Sequence, residues 1–270
     1  LEAESEELGR AVSRIRVAIG EQLKTCPQVI TLGLRPQMAD YTEQERRLLR
    51  TADMIFYPTD RYVDFFATLG KETFPSVNCY RLRGNRLKHT ALMRLLNVAH
   101  PRTRVYYGRR QKRKILKEFA FPCVAKKARG AADGKQVFLI NNRKQLDWYN
   151  QHFNPALIQE YVVPEKELRV VVLNCQTTFG YRRNVIRGNS VDSSSRQGIW
   201  KADDVDPEGV ELAKIIAREA NLSDVAVDMV FDGGRYQVLE LNFLWDETDS
   251  HQAGPNRTKL IIEMIEKGEL

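Results

Sequence analysis

The segment from Val225 to Asp246 constrains the fold of this chain more than any other. Two alternating apolar runs flank Asp232-Gly233-Gly234, and Asp-Gly and Gly-Gly are strong hairpin signals because such turns require positive φ. The first strand carries one polar interruption, Asp228, among Val225, Val227, Met229 and Val230. On the second, Glu240 and Asn242 lie two residues apart and so share a face. The hairpin can bring two carboxylates and an amide oxygen together on a rigid support. That is a hard oxygen donor set, suited to Mg²⁺ that also holds phosphate. A merely solvated strand face would carry the same residues, so the triplet needs support from the rest of the chain.

With 270 residues the chain can form two or three lobes with real cores, and 43% apolar against 29% charged residues is globular composition. No apolar run approaches the roughly 20 residues of a membrane span. No signal-peptide pattern is present, so the expectation is a cytoplasmic protein without membrane contact. Cys26, Cys79, Cys123 and Cys175 are far apart and form no CxxC, which predicts free thiols rather than disulfides or zinc. The histidines, His89, His100, His152 and His251, show no metal spacing. The net charge of +7 suits nucleic acid, or an acidic ligand such as a nucleotide plus a carboxylate. Part of it is local: Arg102, Arg104, Arg109, Arg110, Lys112, Arg113, Lys114 and Lys117 fall in one segment, either a solvated helix face or a docking surface for an acidic partner. No aromatic-interleaved basic motif accompanies the charge, so nucleic acid ranks behind an acidic substrate.

In chain order, Leu8, Val12, Ile15 and Ile19 recur at three and four, which predicts an amphipathic helix over residues 1–24. Its apolar face would pack on the body, on a partner protein or on a second copy. Strands are expected at Pro27 to Gly33, Met54 to Pro58 and Ser76 to Tyr80, alternating with helices at Glu43 to Arg50 and Tyr62 to Leu69. That rhythm implies a small parallel α/β unit. A helix from Leu87 to Val98, a strand from Thr103 to Tyr107 and a basic helix to Ala120 follow. Further strands are read at Phe121 to Ala128, Gln136 to Ile140, Ala156 to Val162, Glu167 to Leu173 and Thr177 to Arg183. Helices are read at Gln145 to Phe153, at Pro207 to Asn221 with Asp206 as N-cap, and at Lys259 to Lys267.

Three features join the hairpin. Lys126 lies in an apolar strand, where an inward ammonium requires an anionic partner. Ala128 to Gly134 is a small-residue loop whose backbone N–H groups can approach phosphate. Gln159-Glu160-Tyr161-Val162 ends an apolar strand and can offer backbone groups to a base edge.

In this order the parts resemble the ATP-grasp superfamily, and within it the RimK-type glutamate ligases, from about Val29 onward and most clearly from Phe121 to Asn242. The resemblance implies an α/β fold of the α+β ATP-grasp type: a small parallel N-terminal lobe plus two lobes clasping ATP. It divides the chain into an extension at 1–26, a pre-ATP-grasp domain at 27–103, a small lobe at 104–162 and a large lobe at 163–270. It assigns Lys126 and the earlier Lys88 to phosphate, Gly130 and Gly134 to a lid, and Gln159, Glu160, Tyr161 and Val162 to adenine. Glu167 is matched to the ribose and Arg169 to the reaction centre, with Arg182 beside Arg183 on the next strand and Arg196 beyond. Asp228, Glu240 and Asn242 match the metal ligands in type, order and spacing.

The implied reaction is ADP-forming ligation of a carboxylate to an amine through an acyl phosphate, with ATP and Mg²⁺ or Mn²⁺. An acidic peptide is the preferred substrate on charge. The chain departs from the pattern at Val191 to Gly198 and at Phe243 to Asp246. Both flank the acceptor side, so substrate identity does not carry over, and a kinase or a non-catalytic nucleotide-binding subunit stays open.

Overall fold

The computed structural model describes residues 14–130, 136–184, 205–243 and 256–270. It divides into two compact units, one of residues up to Tyr80 together with Arg257–Leu270, the other of Arg81–Asn256. No helix among the described residues is long and apolar enough to cross a membrane.

The first unit is built on a parallel sheet of β1 (Arg16–Ala18), β2 (Ile30–Thr31), β3 (Met54–Phe56) and β4 (Glu72–Phe74), in the order β2-β1-β3-β4. Inner parallel strands are covered on both faces and read as continuous apolar runs. Val17, Ala18, Ile55 and Phe56 are accordingly fully buried. Helix α1 (Glu43–Thr51) starts at a reciprocal cap: Thr42 Oγ1 accepts from the Glu45 backbone, and the Glu45 carboxylate accepts from the Thr42 backbone at 2.7 Å. Helix α2 (Thr59–Thr68) is followed by Gly70 at φ 69°, as expected of a glycine just past a helix end.

Three expectations are corrected here. The described part of the 1–24 helix is instead β1 and a short 3₁₀ turn at Glu21–Leu23; residues 1–13 lie outside the described residues. Ile15 and Ile19 match a helical repeat, but Val17 and Ala18 between them are as fully buried as Ile19, which an inner strand permits and an amphipathic helix does not. Residues 16–18 therefore belong to the first sheet and not to an extension. The strand expected at Ser76 to Tyr80 is helix α3 (Val77–Leu82), and the fourth strand lies before Pro75, where three residues led by an exposed Glu72 show little pattern. The closing helix Arg257–Glu266 groups with this first unit rather than with the lobe of residues 163–270.

The second unit contains two antiparallel sheets. One comprises β5 (Thr103–Tyr106), β6 (Cys123–Lys126), β7 (Val137–Ile140) and β8 (Ala156–Glu160), ordered β5-β8-β6-β7. Helices α4 (Arg86–Leu95), α5 (Gly108–Lys112), α6 (Ile115–Glu118) and α7 (Arg143–His152) accompany it; the single basic helix expected is thus two short ones. The other sheet comprises β9 (Lys166–Leu173), β10 (Thr177–Asn184), β11 (Asp224–Phe231) and β12 (Tyr236–Asn242), ordered β10-β9-β11-β12. Helix α8 (Pro207–Glu219) is capped by Asp206 and packs on β9. A Cβ on Gly209 would lie 2.2 Å from Leu168 Cδ2, so glycine lets the helix approach the sheet. The fold is the expected one: a parallel α/β lobe plus two α+β lobes. The cysteines are free, and burial pushes the Cys123 thiol up to about 11.

Ile19 tests the placement of the N-terminal segment in the first core. As a fully buried member of the first core, Ile19→Ala is expected to cost about 2–5 kcal/mol in urea unfolding. A change within about 0.5 kcal/mol, as for an exposed side chain, would contradict that placement.

Candidate functional site

The hairpin forms as its sequence requires, and its register aligns the polar groups. Asp228 pairs across the ladder with Glu240, and Ala226 with Asn242, so both carboxylates and the amide share one face. On the other side of β11, Asp228 pairs with Arg169 of β9. The register shifts between Asp228 and Met229, leaving Leu239 as an extra residue in β12. The bulge exposes the Leu239 carbonyl, which accepts from Lys126 Nζ at 3.1 Å.

Asp228 and Glu240 are each met by an arginine. Arg169 grips Asp228 from two atoms, Nε to Oδ1 at 2.6 Å and a terminal nitrogen to Oδ2 at 3.1 Å. Arg86 donates from Nε to Glu240 Oε1 at 3.0 Å and to the Lys127 carbonyl at 3.1 Å. The arginine side chains are only 9% and 7% exposed and the carboxylates 14% and 21%, so the pairs sit largely out of water.

Of the two basic residues at this helix start, the resemblance points to Lys88, whereas the structure brings Arg86 to Glu240. The Lys88 ammonium instead donates to the Arg81 carbonyl at 2.6 Å. Asn85 caps α4, and from Arg86 onward the residues Arg86, His89, Thr90 and Met93 recur at three and four along one helix face. All four line a small cavity together with Lys126, Gln159, Val238, Leu239 and Glu240, whereas Lys88 does not. The available signal was an arginine on the apolar face of an amphipathic helix. The start of α4 is also pinned to the end of β6: Arg86 N donates to Ala128 O, and Gly130 N to Gly84 O at 3.1 Å. A Cβ on Gly84 would meet the Gly130 carbonyl at 3.0 Å, and Gly84 itself has φ 64°, so this approach requires glycine.

His89 is a second residue the sequence reading did not select. Burial lowers its pKa to about 4, with Arg86 and Lys126 adding repulsion, so the ring is neutral at pH 7. Its Nε2–H donates to the Leu82 carbonyl at 2.9 Å, leaving Nδ1 as a buried acceptor without a partner among the described residues. The ring packs on Phe243, directly after Asn242, at 5.8 Å between centroids.

The other expected residues divide. Gln159 lines the cavity and donates to Thr103 Oγ1 at 2.8 Å. Glu160 is turned to the sheet edge, accepting from the Arg102 backbone at 2.6 Å. Tyr161 and Val162 follow β8, half-buried. Glu167 is buried two residues before Arg169, on the same face of β9. Gly130 begins the small-residue loop; Gly134 and Arg196 lie outside the described residues, as does the side chain of Arg182. In the ladder, position 182 pairs with Leu168 and position 183 with Glu167. Position 183, and not 182, therefore shares the face of Glu167 and Arg169.

Among the described residues no three His, Cys, Asp or Glu cluster as a metal site. The candidate donor set is two carboxylates and the Asn242 amide, all oxygen, on one face. It fits a hard divalent cation that completes its shell with water and phosphate.

A family model for the RimK-like ATP-grasp domain matches residues 84–265. The chain belongs to the RimK-like ATP-grasp family. Solved structures agree in fold. The ATP-grasp ligase PsnB, complexed with a phosphomimetic variant of minimal precursor, Mg and ADP, superposes with a TM-score of 0.69 at 14% identity, covering 94% of this chain and 98% of that one. The macrocyclase MdnC from Microcystis aeruginosa MRC, bound with precursor peptide MdnA, gives 0.65 at 15% identity over 93% and 98%. The ADP complex of purK, N5-carboxyaminoimidazole ribonucleotide synthetase, gives 0.60 at 15% identity; the match covers 90% of this chain but 64% of that protein's length. No curated protein matches the chain.

In this RimK-like ATP-grasp protein, removing one partner of a buried pair strands the other. Arg169→Met is expected to cost about 3–5 kcal/mol in denaturant unfolding, and adding Asp228→Asn to recover part of the loss. Additive losses in that double-mutant cycle would show that the pair is not coupled.

Proposed function

We propose that the chain is an ATP-dependent, ADP-forming carboxylate–amine ligase acting through an acyl phosphate in the cytoplasm. The observation that carries this reading is the aligned face of Asp228, Glu240 and Asn242, met by Arg86, Arg169 and Lys126. A substrate carboxylate oxygen attacks the γ-phosphorus, and the bond to the ADP oxygen breaks. An amine then attacks the acyl carbon, loses its proton and expels inorganic phosphate. Such a path needs positioning and charge stabilisation rather than a side-chain nucleophile.

In this reading Arg86 and Lys126 neutralise phosphate oxygens, with Arg86 in the role expected of Lys88. Arg169 steadies the transferred phosphoryl group. Gln159 to Val162 hold the base, Glu167 the ribose, and the loop beginning at Gly130 covers the phosphates. Asp228, Glu240 and Asn242 would hold Mg²⁺, or Mn²⁺, which would supply positive charge to the phosphates. Because Arg86 and Arg169 hold Glu240 and Asp228 in the free protein, binding of metal and nucleotide would exchange these partners, freeing the carboxylates for the cation and the arginines for phosphate.

The substrate preference is an acidic peptide. Net charge of +7 supports it, as do the peptide substrates named for PsnB and MdnC. Residues 16–18 sit inside a sheet, so a partner or second copy would not dock on a helix there.

The test is an ADP-release screen against amino acids and acidic peptides, with mass spectrometry of the product. An amide plus inorganic phosphate is expected, and Glu240→Gln is expected to lower turnover on the order of a hundredfold. A stable phosphorylated product would make the protein a kinase. Nucleotide binding without turnover on any acceptor would make it a binding subunit.

A further inference from the structure

The positive charge of this protein has a single source. From Thr73 to Lys117 the chain has 13 Lys and Arg and no Asp or Glu. The remainder of the chain therefore sets 29 Lys and Arg (42 less 13) against all 35 Asp and Glu. Some of these cations serve the fold and the cavity, as Arg86 does. Five do neither: Arg109, Arg110, Arg113, Lys114 and Lys117 are exposed on α5, α6 and the turn between them.

None of these five has an ion-pair partner among the described residues. Elsewhere on the surface, Arg46 and Arg50 share Glu43, Arg143 pairs with Asp147, and Arg218 with Glu211. The five stand on a rigid base. Ile115 of α6 is fully buried, and Lys112 Nζ donates to the carbonyls of Asn150 and Phe153 at 2.7 and 2.5 Å, tying α5 to the end of α7. Two large apolar groups stand exposed in the same stretch, Leu116 at 40% and Tyr107 at 54%.

We propose that the α5–α6 face is a docking surface for an acidic polypeptide segment carrying apolar side chains. Charge complementarity supplies attraction and orientation, and an apolar side chain of the partner covers Leu116. A phosphodiester backbone has no apolar group for Leu116, and sequence-tolerant binding of single strands relies on successive aromatic platforms, where this face has one ring. The surface lies outside the residues of the ATP-grasp cavity, so it stands or falls independently of the ligase reading.

The test is fluorescence anisotropy of a labelled peptide of repeating Glu-Glu-Leu, at low salt and without nucleotide, so that ligase chemistry does not enter. A single-stranded RNA of equal length is the competitor probe. The protein is expected to bind the peptide, with affinity falling as salt rises, and the Arg113→Glu/Lys114→Glu variant to bind on the order of tenfold more weakly. Arg218→Glu, an exposed reversal elsewhere, is expected to bind as the parent does. Thermal unfolding of each variant establishes that it is folded. Absence of peptide binding, equal binding by the α5–α6 variant, or tighter binding of the RNA would overturn the proposal.

Discussion

Opposite charges held together out of water are the interaction on which the site depends. A lone buried carboxylate or guanidinium is costly, and neither Asp228 nor Glu240 would be stable on this face without a partner. Arg169 and Arg86 supply those partners from β9 and from the start of α4. Lys126 is settled by the bulged Leu239 carbonyl. The free protein thus holds these charged groups by letting them neutralise one another. In the proposed ligase, a metal–nucleotide complex would bring both signs of charge and so replace every partner given up.

The fold serves this arrangement through a few local devices. The antiparallel register puts Arg169, Asp228 and Glu240 in one row across three strands. The bulge in β12 supplies a carbonyl that a regular ladder would have used. The pairing of Gly84 to Arg86 with Ala128 to Gly130 sets the first turn of α4 against the end of β6. Neutral His89 fills the space between α4 and Phe243 without adding a third positive charge beside Arg86 and Lys126.

Much of this was legible because strands and caps have local causes. Asp232-Gly233-Gly234 announces the hairpin, and two-residue alternation places Glu240 with Asn242. Asp206 and Pro207 announce α8. What was not legible depends on tertiary partners. Ile15 to Ile19 satisfies helical spacing by coincidence, and only the flanking strands β2 and β3 reveal an inner strand. Lys88 and Arg86 are two apart at a helix start, and the cap at Asn85 decides which faces the cavity. The pairing of position 183 rather than 182 with Glu167 is likewise a matter of register, which a single strand's sequence does not carry.

The exchange of ionic partners is the central claim, and it is directly observable. Both arginines use Nε in their ion pairs, to Asp228 at 2.6 Å and to Glu240 at 3.0 Å. The measurement is a proton–nitrogen NMR correlation of arginine Nε–H groups, assigned with Arg86→Lys and Arg169→Lys, in the free protein and after adding Mg²⁺ and ADP. The account predicts two slowly exchanging Nε–H signals in the free protein, both shifting on addition of Mg²⁺ and ADP together. Rapidly exchanging signals in the free protein, or signals unmoved once Mg²⁺ and ADP are bound, would contradict it.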